Sequence, residues 1–116
     1  MNNAVEEYQR KICHKYGAKF FSCDNGLKVG VSLSLRDGGR PIHGMRVGPE
    51  GGTAGWYIWS GEFSEAVDFF KPLHVSHLDQ WAPLVLPYLG LPPGWRFLIS
   101  EVYEDVWHDP ELKIYL

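Results

Sequence analysis

Residues Leu27 to Arg36 read Leu-Lys-Val-Gly-Val-Ser-Leu-Ser-Leu-Arg, and this strict alternation constrains the fold more than any other feature of the chain. In an extended strand Leu27, Val29, Val31, Leu33 and Leu35 point to one side, and Lys28, Gly30, Ser32, Ser34 and Arg36 to the other. One apolar and one polar face is the pattern of an antiparallel sheet covered on a single side. Asp24-Asn25-Gly26 before the run and Asp37-Gly38-Gly39 after it supply tight turns. A short strand at Phe20-Phe21 and a returning strand over Ile42 to Val47 are expected on either side.

Ahead of the meander the spacing predicts an amphipathic helix. Val5, Tyr8, Ile12, Cys13 and Tyr16 fall on one face and Glu6, Glu7, Gln9, Arg10, Lys11 and Lys15 on the other. Gly17 is placed to end it in a left-handed cap. Gly48 to Thr53 reads as a loop that lacks the Gly-Lys-Ser/Thr ending of a phosphate-binding turn. Gly55 to Ser60 follows as a strand, with Trp56 and Ile58 on one face and Tyr57 and Trp59 on the other. Ser64 to Phe70 is expected to form a helical turn. Ser76 and Asp79 resemble a capping box opening a short helix through Trp81. Pro83 suits the first turn of a second helix, Leu84 to Leu89, which Pro87 shortens or bends. Leu91-Pro92-Pro93-Gly94 turns into a strand, Trp95 to Glu101, and Tyr103 to Trp107 forms the last one. Asp109-Pro110 then turns the chain into a short tail.

These elements predict an α+β fold: an antiparallel sheet with an N-terminal amphipathic helix and a short helical insert packed on one face. The turns are too short for helical crossovers, which argues against a parallel sheet. A length of 116 residues suits one domain, 1–116. The start is unlike a secretory leader and no apolar run reaches a membrane-spanning length, so a cytoplasmic protein with two reduced thiols, Cys13 and Cys23, is expected.

Charge is divided unevenly. Residues 1–55 hold 8 Lys and Arg against 5 Asp and Glu, and residues 56–116 hold 3 against 9. The acidic second half argues against nucleic-acid binding, since phosphates need cations, and suits a basic protein partner. All five Trp residues also fall in that half. Core packing accounts for some of them, but Trp56 and the pair Tyr57 and Trp59 cannot enter one core from opposite faces of a strand. Aromatic anchors ringed by carboxylates have the composition of a protein-binding surface.

Enzymatic constellations are not complete. Ser60 lacks the Gly-x-Ser-x-Gly elbow, Cys13 sits on the buried side of the first helix, and Glu104 and Asp105 face opposite ways on a strand. His74 and His77, three apart, are the nearest approach to a metal pair, but zinc needs further ligands. No catalytic residue, metal or cofactor is expected.

Several runs in the second half carry a family likeness: Gly55-Trp56-Tyr57-Ile58-Trp59-Ser60-Gly61-Glu62, then Asp68-Phe69-Phe70-Lys71-Pro72-Leu73-His74-Val75 with His77-Leu78. Tyr88-Leu89, Leu91-Pro92-Pro93-Gly94-Trp95-Arg96-Phe97-Leu98 and Tyr103-Glu104-Asp105-Val106-Trp107 complete it. From Gly55 onward the chain resembles the bacterial immunity proteins numbered thirty-three and their relatives. The resemblance implies a non-enzymatic cytoplasmic immunity protein that binds and neutralises a cognate toxin, with no nucleic-acid or membrane partner. It implies partner-binding roles for Trp59, Glu62, Asp68, Arg96, Glu104, Asp105 and Trp107, with Arg96 also suited to pair internally with Asp105 or Asp68. The competing expectation is a small-ligand or carbohydrate-binding domain in which Trp59 and Trp107 flank a concave pocket. A hydrolase using His74 is a third.

Overall fold

The computed structural model describes residues 3–112, and the part of the expected tail beyond Leu112 lies outside them. Six strands form one sheet: β1 (Lys28–Val31), β2 (Ile42–Arg46), β3 (Thr53–Ser60), β4 (Lys71–His74), β5 (Trp95–Ile99) and β6 (Glu104–His108). Their order across the sheet is β4-β1-β3-β2-β5-β6. Helix α1 (Asn3–Tyr16), a helical turn α2 (Leu33–Arg36), a 3₁₀ turn (Val75–His77) leading into α3 (Leu78–Trp81), and a 3₁₀ segment (Pro83–Tyr88) complete the architecture. The fold is α+β, as the sequence predicts.

Every strand pair is antiparallel except β1 with β3. That parallel pair departs from the tight-turn expectation, and its cause is topological. β2 does not return beside β1 but lies beyond β3, so β3, antiparallel to β2, runs in the direction of β1.

The alternating run is a strand only as far as Val31. The amide of Ser32 still donates to the Ile58 carbonyl at 3.1 Å, and Leu33 to Arg36 then close one helical turn. Leu35 is fully buried while Leu33 is 48% exposed. Residues four apart share a side in a helical turn as they do in a strand, so the burial of Val31 and Leu35 satisfies both conformations. Phe20-Phe21 forms no strand. Its backbone is held by the Phe21 amide donating to the Gly90 carbonyl at 2.9 Å. Residues 64–70 form a turn, with the Phe69 amide on the Ala66 carbonyl at 3.0 Å, rather than a helix. The short helix after His74 is present, but no side chain caps it, so the expected Ser76–Asp79 box is not formed.

α1 ends as anticipated. Gly17 has φ of 71°, the Ala18 amide donates to the Cys13 carbonyl at 2.8 Å and the Gly17 amide to that of His14 at 3.3 Å. That pair of bonds is the Schellman cap, and it requires a residue that tolerates positive φ. The core lies on one side of the sheet. Val29, Val31, Ile42, Trp56, Ile58, Phe97, Ile99 and Val106 meet Cys13, Leu35, Val75, Leu78, Val85, Leu89 and Leu91 from the helical layer. Gly44 leaves room there for the Phe97 ring, which a Cβ at that position would strike.

Arg46 is the unexpected member of this core. Its side chain is fully buried and pairs with no carboxylate among the described residues. Nε donates to the Ala54 carbonyl at 2.8 Å, Nη1 to those of Phe21, Leu89 and Leu91 at 2.9, 3.1 and 2.9 Å, and Nη2 to that of Ser22 at 3.0 Å. The guanidinium also lies 4.8 Å from the Phe21 ring centroid and 5.6 Å from that of Trp56. Burial lowers its pKa, but a guanidinium stays protonated across the accessible range. Arg46→Met is expected to destabilise the protein by more than about 3 kcal/mol, because several buried carbonyls lose their donor together. Arg46→Lys should recover little, since an ammonium lacks the planar fork. Urea unfolding measures both. A parent-like midpoint for the Met variant would show that the carbonyls find other donors.

Candidate functional site

Among the described residues helices cover only one side of the sheet, and the sequence-predicted site falls mainly on the other. Two rows of side chains cross this outer face, as the strand registers show. One runs Trp59, His43, Leu98, Asp105 and the next Tyr57, Met45, Arg96, Trp107. Both follow from the period-two alternation that sends Trp56, Ile58 and Phe97 into the core.

The loop between β3 and β4 folds back over one end of this face. Trp59 stacks on His43, with centroids 4.9 Å apart and planes 2° from parallel, and meets Phe63 and Phe70 edge-to-face at 5.4 and 5.9 Å. Phe69 packs on both of those phenylalanines, and Tyr57 reaches Phe70 at 5.1 Å. Trp59 is therefore only 6% exposed, though it lies outside the main core. Glu62, Glu65 and Asp68 alternate with these aromatics in sequence and are exposed. An apolar base thus holds an acidic loop. Burial lowers the pKa of His43, and the positive charge of Arg96 lowers it further, so this face gains no cation there at neutral pH.

At the opposite end, Trp107 is 38% exposed and Asp105 is exposed. Arg96 pairs with Asp109, Nε to Oδ2 at 2.7 Å, and not with Asp105 or Asp68 as anticipated. The reason is register. The Asp109 amide donates to the Gly94 carbonyl at 2.7 Å, which brings the Asp109 carboxylate back beside the base of β5. Asp109 is held below the ordinary carboxylate range by the Glu111 backbone amide and by Arg96.

Glu104 turns the other way, toward the helices. It accepts from Lys15 Nζ at 2.6 Å, from the Tyr88 hydroxyl at 2.5 Å and from the Tyr16 hydroxyl. Burial raises its pKa, but the hydrogen bonds from Lys15, Tyr16 and Tyr88 outweigh that and hold it below the usual value. The structure thus brings six of the seven predicted residues to the outer face or its covering loop. Glu104 instead ties β6 to α1.

Sequence reasoning missed Phe63, Phe69, Phe70, Glu65, Met45 and Leu98 as parts of this face. The aromatic density of residues 61–70 was the available signal. A pocket of about 230 Å³ lies at the β1–β4 end, lined by Gly30, Tyr57, Phe70, Pro72 and neighbours, and not between Trp59 and Trp107. His43 already occupies one face of the Trp59 indole, so this ring offers little to a sugar. Ser60 is buried at 3%, beneath Gly39. The rings of His74 and His77 sit edge-to-face at 6.0 Å, and among the described residues no group of three or more His, Cys, Asp or Glu could hold a metal ion. Both cysteines are free and buried. Among the described residues no helix is long and apolar enough to cross a membrane.

Fold and face together define an α+β protein whose sheet is backed by helices on one side and presents an acidic, aromatic surface on the other. A family model described as the Imm33-like domain matches residues 8–109, and the chain belongs to that family. The match takes in the first half as well as the region from Gly55 onward that carries the quoted motifs. No curated protein and no solved structure matches the chain.

Glu104→Gln tests the network on β6. Because the folded-state pKa is lowered, the ionised carboxylate stabilises the fold fully above its unfolded value near ~4.3. That contribution is lost as pH falls through the lower folded value. The variant is expected to be about 1–2 kcal/mol less stable at neutral pH, with the gap from the parent closing on acidification below about pH 4. Chemical denaturation at a series of pH values checks this, and a gap independent of pH would show that the charge of Glu104 contributes nothing.

Proposed function

We propose that this chain is a non-enzymatic cytoplasmic immunity protein that binds a cognate toxin domain through the outer face of its sheet and thereby neutralises it. The observation that carries the reading is the set of carboxylates on this face. Glu62, Glu65, Asp68 and Asp105 are exposed and make no ion pair among the described residues. Family membership supports the same reading. Exposed Phe63 and Trp107 and fully exposed Val67 lie among these charges, and apolar anchors within a charged rim suit a protein partner.

The seven predicted residues divide by role. Glu62, Asp68, Asp105 and Trp107 meet the partner. Trp59 supports the loop that carries Glu62 and Asp68, Arg96 fixes the turn after β6 through Asp109, and Glu104 holds β6 on α1. The partner surface is basic, and the exposed carboxylates raise the rate of encounter more than they slow dissociation.

The test first establishes that a neighbouring gene encodes a toxin domain, which then serves as the purified partner. The triple variant Glu62→Lys, Asp68→Lys, Asp105→Lys should lower the association rate roughly tenfold or more at low salt, with the difference shrinking as salt rises. Stability should stay near that of the parent, because these side chains are exposed and unpaired. Association at the parent rate would remove the electrostatic reading. Co-expression should show the parent rescuing growth and the triple variant rescuing it poorly.

A further inference from the structure

We infer that the toxin partner adds a β-strand to the free edge of β6 and sets a basic side chain against Asp105. This rests on the toxin-binding reading above and specifies the geometry of the contact.

The sheet has two edges, and they are not equivalent. At β4 the Val75 amide donates to the Leu27 carbonyl at 2.9 Å, which sets the phase of the β1–β4 ladder. Hydrogen-bonded and non-bonded pairs alternate along an antiparallel ladder. Leu73 and Lys71 therefore bond to β1, while Pro72 and His74 face outward. Pro72 has no N–H to offer, so this edge is interrupted.

β6 carries no such interruption. The Asp109 amide donates to the Gly94 carbonyl at 2.7 Å and the Ser100 amide to the Tyr103 carbonyl at 2.9 Å. These bonds bracket the β5–β6 ladder and fix its phase. Trp107 and Asp105 exchange bonds with Arg96 and Leu98. Glu104, Val106 and His108 turn their backbone N–H and C=O groups away from β5. Among the described residues no other element bonds those groups. From Glu104 to His108 the open edge is about 14 Å long at ~3.4 Å per residue, enough to hold a short strand.

The chemistry around this edge selects its occupant. Residues 101–112 hold five carboxylates and neither Lys nor Arg. Glu101, Glu104 and Asp109 pair with Arg40, Lys15 and Arg96, which leaves Asp105 and Glu111 without an ion pair among the described residues. A second copy in full overlap would set Asp105 opposite Trp107 and leave Asp105 of both copies without a cation, whereas a basic strand supplies one. A strand from a basic partner meets the opposite sign. Added beside β6, it extends both rows of the outer face by one position. The residue facing Asp105 is then Lys or Arg, and the residue facing Trp107 has an apolar stem to lie on the indole. Main-chain bonds supply affinity and the two side-chain positions supply selectivity, as in other strand additions.

The experiment combines two variants with amide exchange, again using that purified toxin domain. His108→Pro removes an outward N–H without removing a bond to β5, while His108→Ala keeps that N–H. Binding to His108→Pro should be at least tenfold weaker than to His108→Ala. In case the proline disturbs the fold, the unmodified chain provides an independent reading. In its complex with the toxin domain, the amides of Glu104, Val106 and His108 should become protected from exchange, whereas those of Asp105 and Trp107 are protected already. A complex that forms with the three outward amides still exchanging freely overturns the strand addition and leaves toxin binding in place. No complex between the purified proteins overturns both.

Discussion

A buried cation organises this protein. The guanidinium of Arg46 gathers carbonyls from three separate stretches of chain: the segment after α1, the start of β3 and the turn after the 3₁₀ segment. The first and last of these are not strands, so they have no ladder to satisfy their backbone groups. Buried carbonyls must find donors, and Arg46 supplies them from one planar fork. A carboxylate partner would be the ordinary way to neutralise a buried guanidinium. Here five carbonyl dipoles and two aromatic faces do so instead. Trp56 reinforces the arrangement by donating to the Leu89 carbonyl at 3.0 Å, which Arg46 also engages.

This closure of one side determines what is left for the other. The helical layer, pinned at residues 89–91, covers Trp56, Ile58 and Phe97, and the described residues include no further helix for the opposite face. The β3–β4 loop covers part of it with aromatic rings. The same loop carries three carboxylates and is anchored without being buried. The remainder, from Met45 and Leu98 to β6, stays half-open.

What could be read in the sequence divides along the line between local and distant partners. The cap at Gly17, the alternation that puts Trp56 and Trp59 on opposite faces, the turns and the later strands all depend on near neighbours, and they were legible. Which of the two faces enters the core was not. The end of β1 was not, because Val31 and Leu35 are compatible with a strand and with a helical turn alike. The pairing of β1 with β3 was hidden since it depends on where β2 goes. The role of Arg46 in the core was not legible either. Alternation along β2 sets it on the same side as Ile42, but the carbonyls of Phe21, Ser22, Leu89 and Leu91 that accept from it are each more than twenty residues away in sequence. For the site, the opposed directions of Glu104 and Asp105 were visible from strand geometry. The partner of Arg96 was not, since the Gly94–Asp109 bond that places it belongs to tertiary structure.

Under the proposed function, the two ends of the outer face solve different parts of one problem. An immunity protein must reach its toxin quickly and release it slowly. Unpaired carboxylates on an exposed loop act at long range and speed encounter, but they hold little once salt screens them. Slow release needs desolvated contacts on a surface that loses little freedom when it binds. The stacked rings beneath Glu62 and Asp68 give the loop a rigid base. Trp107 and the backbone of β6 are already ordered by the ladder to β5, and Glu104 ties that edge to α1 from behind. Charge for steering and pre-ordered surface for retention are thus combined on one side of the sheet. The aromatic richness of the acidic half then has a physical explanation: its rings split between closing the core and stiffening the face that carries the charge.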